Sequence, residues 1–277
     1  MSCSGEILVC QDWLYAVAAP AARWHRHMGV QDDMNAIELY KCRLQQMLDK
    51  VFDEQRENLE EVAARLCDCV TSGRFLYIFG TGHAHILAEE MFYRAGGLAA
   101  VIPILDDELM LHVSASGSTI LERQTGYAAK LLEKYNLGSG DMLIVCSNSG
   151  RNAVPVEMAI EARKRGAFVV ALTNVRHSQS CTPRNALNLR LLEVADLVLD
   201  NGGCIGDAAI DAGLAYKVGA TSTAVGAAML QAIGSRCVEL AVQSHREIDV
   251  FSSSNVDSGD AINERILQKY KPLVDKL

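Results

Sequence analysis

The chain has 277 residues, 49% hydrophobic and 22% charged, so it can close a core without disulfide staples. Its net charge of -8 comes with no run of Lys or Arg, which argues against a nucleic-acid partner. Nine cysteines without a C-x-x-C pair, and no Cys/His cluster at ligand spacing, argue against a disulfide framework and a metal site; reduced thiols in a cytoplasmic protein are expected.

Residues 1–33 show no sustained period and are expected to form an extension outside the fold. They lack the charged start of a signal peptide, and no uninterrupted apolar stretch in the chain reaches the ~18 residues of a membrane span, so no membrane partner is expected. Over 35–70, Ile37, Tyr40, Leu44, Met47, Val51, Leu59, Val62 and Leu66 recur at helical steps. Only Phe52 and polar residues lie between Val51 and Leu59, which leaves one long helix or two in sequence. Ser72-Gly73 breaks the pattern. Strands follow at 75–79, 99–104, 142–146, 168–172 and 197–199, with helices at 84–95, 119–135 and 153–165 between most of them. Short apolar strands alternating with helices predict a parallel sheet covered on both faces. A long helix at 223–243 is rich in Ala and Gly, and beyond "SSSNVDSGD" a short helix ends the chain. Nothing marks a second domain, so 34–277 is expected to fold as one.

Two strand-to-loop-to-helix passages carry the candidate chemistry. In "DMLIVCSNSGRNAVPVEMA" (141–159) an apolar run stops at Ser147 and gives way to Asn148, Ser149, Gly150, Arg151 and Asn152 before a helix. Ligands of open parallel sheets collect beyond the carboxyl ends of the strands, and helix starts offer unpaired N–H groups to anions. Hydroxyls, an amide and a glycine there fit an oxyanion cradle, most simply for phosphate. Helix capping by Ser149 or Asn152 is the alternative. In "YIFGTGHAHILAEEMFYRAGG" (77–97), Gly80, Thr81 and Gly82 lead into His83 and His85. His85 stands where a dinucleotide fingerprint needs its third glycine, so no nucleotide cofactor is expected. His85 and Glu89, four apart, share a helix face, and Glu90 is displaced from it by one residue. Among the other polar groups, His112 could be structural or catalytic, and His177 is expected in a surface turn. Glu157 is expected to face solvent, and Asp207 and Asp211 could reach a ligand hydroxyl.

Together with Ser222-Thr223 at the last helix start, these passages resemble the sugar isomerase (SIS) domain superfamily. "FGTGHAHILAEEMFYRAGG", "SNSGRNAVPVEMA", "EVADLVLDN" and "SSNVDSGD" are most similar to an uncharacterised, phosphoheptose-isomerase-like group of bacterial proteins. The resemblance implies a flavodoxin-like αβα three-layer sandwich with a five-stranded parallel sheet and long N- and C-terminal helices. It implies a sugar phosphate ligand, no cofactor, and a homodimer or homotetramer with sites at subunit interfaces. By resemblance Ser147 and Ser149 bind phosphate with Asn148, Gly150 and Asn152 in the same loop, and Thr223 supplies a further hydroxyl. Gly80, Thr81, Gly82, His85, Ser222 and Gln231 join the substrate site. Phosphoheptose isomerases carry a catalytic Glu comparable to Glu90, with Glu89 the other candidate here, and Gln231 stands near the place of their last-helix His. Arabinose-5-phosphate isomerases have groups comparable in position to His83 and His112. The expected activity is aldose–ketose isomerisation through an enediol, with Glu90 or Glu89 as base and His83 or His112 aiding ring opening. A non-catalytic phosphosugar sensor, or a lyase or etherase acting on an acylamino sugar phosphate, is the alternative.

Overall fold

A computed structural model describes residues 34–255 and 259–277; the expectations for residues 1–33 and for 256–258 lie outside these. Asn35 starts helix α1 (Ala36–Glu54): its side chain accepts from the N–H groups of Ile37 and Glu38, and Glu38 reciprocates at the Asn35 N–H. The helical pattern of 35–70 resolves into two helices, because Gln55 (φ -101, ψ 10) leaves helical geometry before α2 (Arg56–Thr71). That break lets α2 bury seven residues, Leu59 to Val70, while α1 buries only Met47 and Val51.

Five strands follow: β1 (Leu76–Gly80), β2 (Val101–Ile104), β3 (Met142–Cys146), β4 (Phe168–Thr173) and β5 (Leu197–Asp200). All pair in parallel, in the order β2-β1-β3-β4-β5. This is the flavodoxin-like order, and its switch point lies between β1 and β3, where the chain leaves the two strands in opposite directions. The intervening helices are α3 (Ile86–Met91), α4 (Leu111–Leu121), α5 (Tyr127–Leu132), α6 (Ala153–Lys164), α7 (Val175–Ser180) and α8 (Leu191–Val194). A hairpin of β6 (Ala208–Ile210) and β7 (Val218–Ala220) precedes α9 (Ser222–Gln243), and α10 (Gly259–Tyr270) comes last.

Alternation along the strands divides the core in two. Leu76, Ile78, Met142, Ile144 and Leu172 pack with α1, α2, α3 and α9, whereas Tyr77, Phe79, Leu143, Val145 and Ala171 pack with α5, α6 and α8. By length and composition α9 could cross a bilayer; here it is a core helix, burying Val225, Met229, Leu230, Ile233 and Cys237 against the α2 side.

Three expectations need correction. The helix at 84–95 is a 3₁₀ turn (Gly82–His85) plus the six residues of α3; Phe92 is already extended. The reason is tertiary: beyond α3 the backbone bonds to 249–251 through Gly96, Gly97 and Ala99. The helix at 119–135 is broken into α4 and α5 by Gly126 at φ 80, whose N–H donates to Glu157. Glu157 is therefore tied to that turn and does not simply face solvent. The hairpin, α7 and α8 are too short to leave a period in the sequence.

Candidate functional site

The loops at the carboxyl ends of β1 and β3 meet at the switch point. Gly80 is obligatory in the first: a Cβ there would lie 2.5 Å from the Ala84 carbonyl carbon and oxygen and 2.8 Å from the His85 nitrogen. This close return turns the chain through Gly82–His85, with His85 Nδ1 against the Gly82 carbonyl. It leaves Thr81, only 7% exposed, directed inward.

The second loop is braced from three sides. Ser147 N–H continues the sheet by donating to Leu172 O, and Gly150 N–H donates to Ser147 Oγ at 3.2 Å. Asn148 O accepts from Asn174 N–H and Thr173 Oγ1, and Asn148 Oδ1 accepts from Asn201 Nδ2 at 3.0 Å. Gly150, at φ +56, accepts from Leu191 N–H; a Cβ there would meet Leu191 Cβ at 3.1 Å. The N–H and hydroxyl of Ser149 have no partner among the described residues. Asn152 precedes α6 but its side chain caps nothing, so helix capping does not account for the loop's polar residues.

The Asn152 side chain instead serves a residue that the sequence does not signal. Its Nδ2 donates to Glu122 Oε1 at 2.5 Å, and Thr81 Oγ1 donates to Glu122 Oε2 at 2.8 Å. Glu122 closes α4, and its carbonyl takes the Val154 N–H at the start of α6. The carboxyl is half-buried, and burial raises its pKa above the ordinary value, against the Thr81 hydrogen bond and the Arg123 and Arg184 charges, which lower it. Across from it, His177 sits in α7, whose start is capped by Asn174 Oδ1 at 2.8 Å from His177 N. His177 Nδ1 accepts from Gly206 N–H at 3.2 Å, so the neutral ring carries its hydrogen on Nε2. Burial and the Arg151 charge lower its pKa, keeping the imidazole neutral near pH 7.

These groups enclose a cleft of about 290 Å³. Of the expected residues, Thr81, His83, Ser147, Asn148, Ser149, Asn152, Ser222 and Thr223 line it. Glu122, His177, Asn201 and Asp207 line it as well. His177 is thus a cleft residue and not part of a detached surface turn. Its signal was its place just past β4, at the same sheet edge; Glu122, in "STILERQTG", gave none. Asp207 (φ 70) accepts from the N–H groups of Thr221 and Ser222 and from Ser222 Oγ at 2.6 Å, so it tethers the α9 start. Asp211 lies away from the cleft, in the hairpin.

The remaining expected residues stand outside. Glu90 accepts from Arg94 Nη1 at 2.6 Å and from Gln231 Nε2 at 3.1 Å, so Glu90 and Gln231 meet each other but not the cleft. Glu89 is exposed, 3.8 Å from the buried His85 ring. His112 is exposed at the start of α4. Gly80, Gly82 and Gly150 shape the two loops without lining the cleft.

Residues 39–174 match the SIS domain family. A UPF0309 protein of Listeria monocytogenes serotype 4b (strain CLIP80459) is 39% identical over 232 residues, covering 83% of this chain and 94% of its own. Another, from Halalkalibacterium halodurans, is 43% identical over 225 residues, 81% and 93% of the two chains. Among solved structures, Vibrio vulnificus NanR complexed with ManNAc-6P superposes with a TM-score of 0.47 at 18% identity, over 91% of this chain and 75% of that one. Phosphoheptose isomerase GmhA of Neisseria gonorrhoeae gives 0.43 at 18% identity, over 79% and 97%.

Proposed function

We propose, for a chain that belongs to the UPF0309 family and carries a SIS domain, that the switch-point cleft binds a phosphorylated sugar and interconverts its aldose and ketose forms. The observation that supports this most is the pairing of an unsaturated hydroxyl loop with the half-buried carboxyl of Glu122 in one cleft. Ser147 and Ser149 hydroxyls, the Ser149 N–H and Thr223 hold the phosphate, whose binding energy orients the sugar. Glu122 removes the proton from the carbon next to the carbonyl. The electron pair moves onto the carbonyl oxygen, which takes a hydrogen from the Nε2 of His177, giving an enediol. Glu122 then returns the proton to the neighbouring carbon while the other hydroxyl passes its hydrogen to the Nε2 of His177, which restores the imidazole and completes the exchange. His83, exposed at the cleft mouth, assists ring opening. Glu122 takes the role expected of Glu90 because its carboxyl is in the cleft and carries no ion pair among the described residues.

Incubation with individual sugar phosphates in deuterated water tests this. Wild type should give an aldose–ketose mixture with deuterium at the second carbon. Glu122→Gln should still bind but lose at least about a hundredfold in exchange. Unchanged exchange in that variant rejects Glu122 as base. Binding without exchange in wild type indicates a sensor, and loss of a substituent indicates a lyase.

A further inference from the structure

Asn148 stands between the two serines of the phosphate loop and lines the cleft with them. Its side-chain amide can face the cleft as a donor, through Nδ2, or as an acceptor, through Oδ1. The hydrogen bonds behind it decide which. The Gly203 N–H, which can only donate, meets one end of the Asn201 amide at 3.1 Å, so that end is Oδ1. The other end is Nδ2, which donates to Asn148 at 3.0 Å, so the Asn148 atom that receives it is Oδ1. Asn148 Nδ2 is what remains for the cleft. It has no hydrogen bond among the described residues and, unlike the orphan atoms of Arg151, Asn152 and Ser178, it is not sealed from solvent.

Asn201 is itself held in place. It is 3% exposed, it lines the same cleft, and its N–H donates to Thr173 O at 2.9 Å where β4 ends. Gly203 comes this close because it lacks a side chain: a Cβ there would lie 3.0 Å from Asn201 Oδ1 and 2.5 Å from Asn174 Nδ2. Turning over the Asn148 amide alone would set Nδ2 against Nδ2. Turning both would set Asn201 Nδ2 against the Gly203 N–H, and either arrangement leaves buried donors without acceptors.

We infer that Asn201 is a positioning residue: it holds Asn148 with Nδ2 toward the ligand, where the amide donates to an ionised phosphoryl oxygen and has nothing to offer a P–OH hydrogen. This rests on the sugar-phosphate reading above and deepens it. The serine hydroxyls can swing to donate or to accept, whereas Asn148 cannot, so Asn148 is the member of the loop that favours a fully ionised ester.

Calorimetry on the whole chain with sulfate and hydrogen phosphate, at about pH 8, tests it. Both are tetrahedral dianions, but hydrogen phosphate keeps one P–OH hydrogen and sulfate has none. In Asn201→Asp one carboxylate oxygen still takes the Gly203 N–H and the other faces Asn148, so the Asn148 amide turns over and presents Oδ1 to the anion. Hydrogen phosphate can donate to that oxygen and sulfate cannot. The variant should therefore weaken sulfate at least about tenfold more than hydrogen phosphate. The added charge repels both dianions alike, and a loosened fold loses both alike, so neither produces this skew. Asn148→Asp keeps the bond from Asn201 and leaves an oxygen at the free position, so it should show the same skew; it decides the matter if the melting temperature of Asn201→Asp shows an unfolded chain. Equal weakening of the two anions, or no change, in folded Asn201→Asp overturns the inference, as does Asn148→Asp without the skew. In either case, loss of both anions in Ser149→Ala leaves the sugar-phosphate reading standing. If wild type binds neither anion, both fall.

Discussion

Glu122 shows what a residue's surroundings do to its chemistry. A carboxylate held by two neutral donors and half removed from water keeps its proton to a higher pH than one on the surface. In its proposed role as base it must be ionised, so kcat/KM should fall on the acid side through a pKa above the ordinary 4.5 of a glutamate. The same shift has a stability signature. The folded chain binds this proton more tightly than the unfolded one, so stability contributed by the protonated form is lost as pH rises from the unfolded value through the folded value. Urea unfolding at a series of pH values should show that slope in wild type and a shallower one in Glu122→Gln. At this scale hydroxyls at a strand's end, standing out against an apolar run, pointed to Ser147 and Ser149, and the family resemblance pointed to Thr81; all three line the cleft. The sequence could not reveal Glu122, whose meaning comes from two donors, 41 residues before it and 30 after it.

At the scale of elements, legibility followed locality. The strand at 142–146 was readable from its unbroken apolar run and the helical nature of 35–70 from its side-chain steps, which left one helix or two open until the Gln55 backbone divided them. The fate of 84–95 was not, because the run has helical propensity and is overridden by backbone pairing to 249–251, more than 150 residues away. The β6–β7 hairpin was likewise hidden, since three-residue strands carry no period. Its worth lies in presenting Asp207 to the first N–H groups of α9. Replacing Asp207 with Ala should cost about 1–2 kcal/mol, as loss of a cap does, read as a lower urea midpoint at unchanged slope. A marked change in slope would instead point to a hairpin that detaches on its own.

For the molecule as a whole, packing of α2 and α9 on the sheet divides buried thiols from exposed ones. Cys69, Cys146 and Cys237 are pushed up to about 12 by burial, so they stay protonated and poorly nucleophilic. Native labelling with a thiol reagent should modify exposed Cys42 quickly and spare these three until denaturant is added; fast labelling of all four would show an open core. We propose assembly into a homodimer or homotetramer, as the family resemblance implies. The apolar side chains that α4 leaves outside, Val113 at 58% and Ile120 at 72% exposure, are candidates for that contact. Sedimentation velocity of wild type against Ile120→Glu should show the assembly and its weakening; a monomer at all concentrations rejects it.

The tether at the start of α9 has one more effect. A long helix directs a partial positive charge at the same cleft as the serine loop, and left bare it would be a rival berth for the phosphoryl end. Asp207 fills that berth with the protein's own negative charge. On the proposed reading the ester is moored at the serine loop and meets the α9 start through the Thr223 hydroxyl, with its N–H groups at Thr221 and Ser222 already taken.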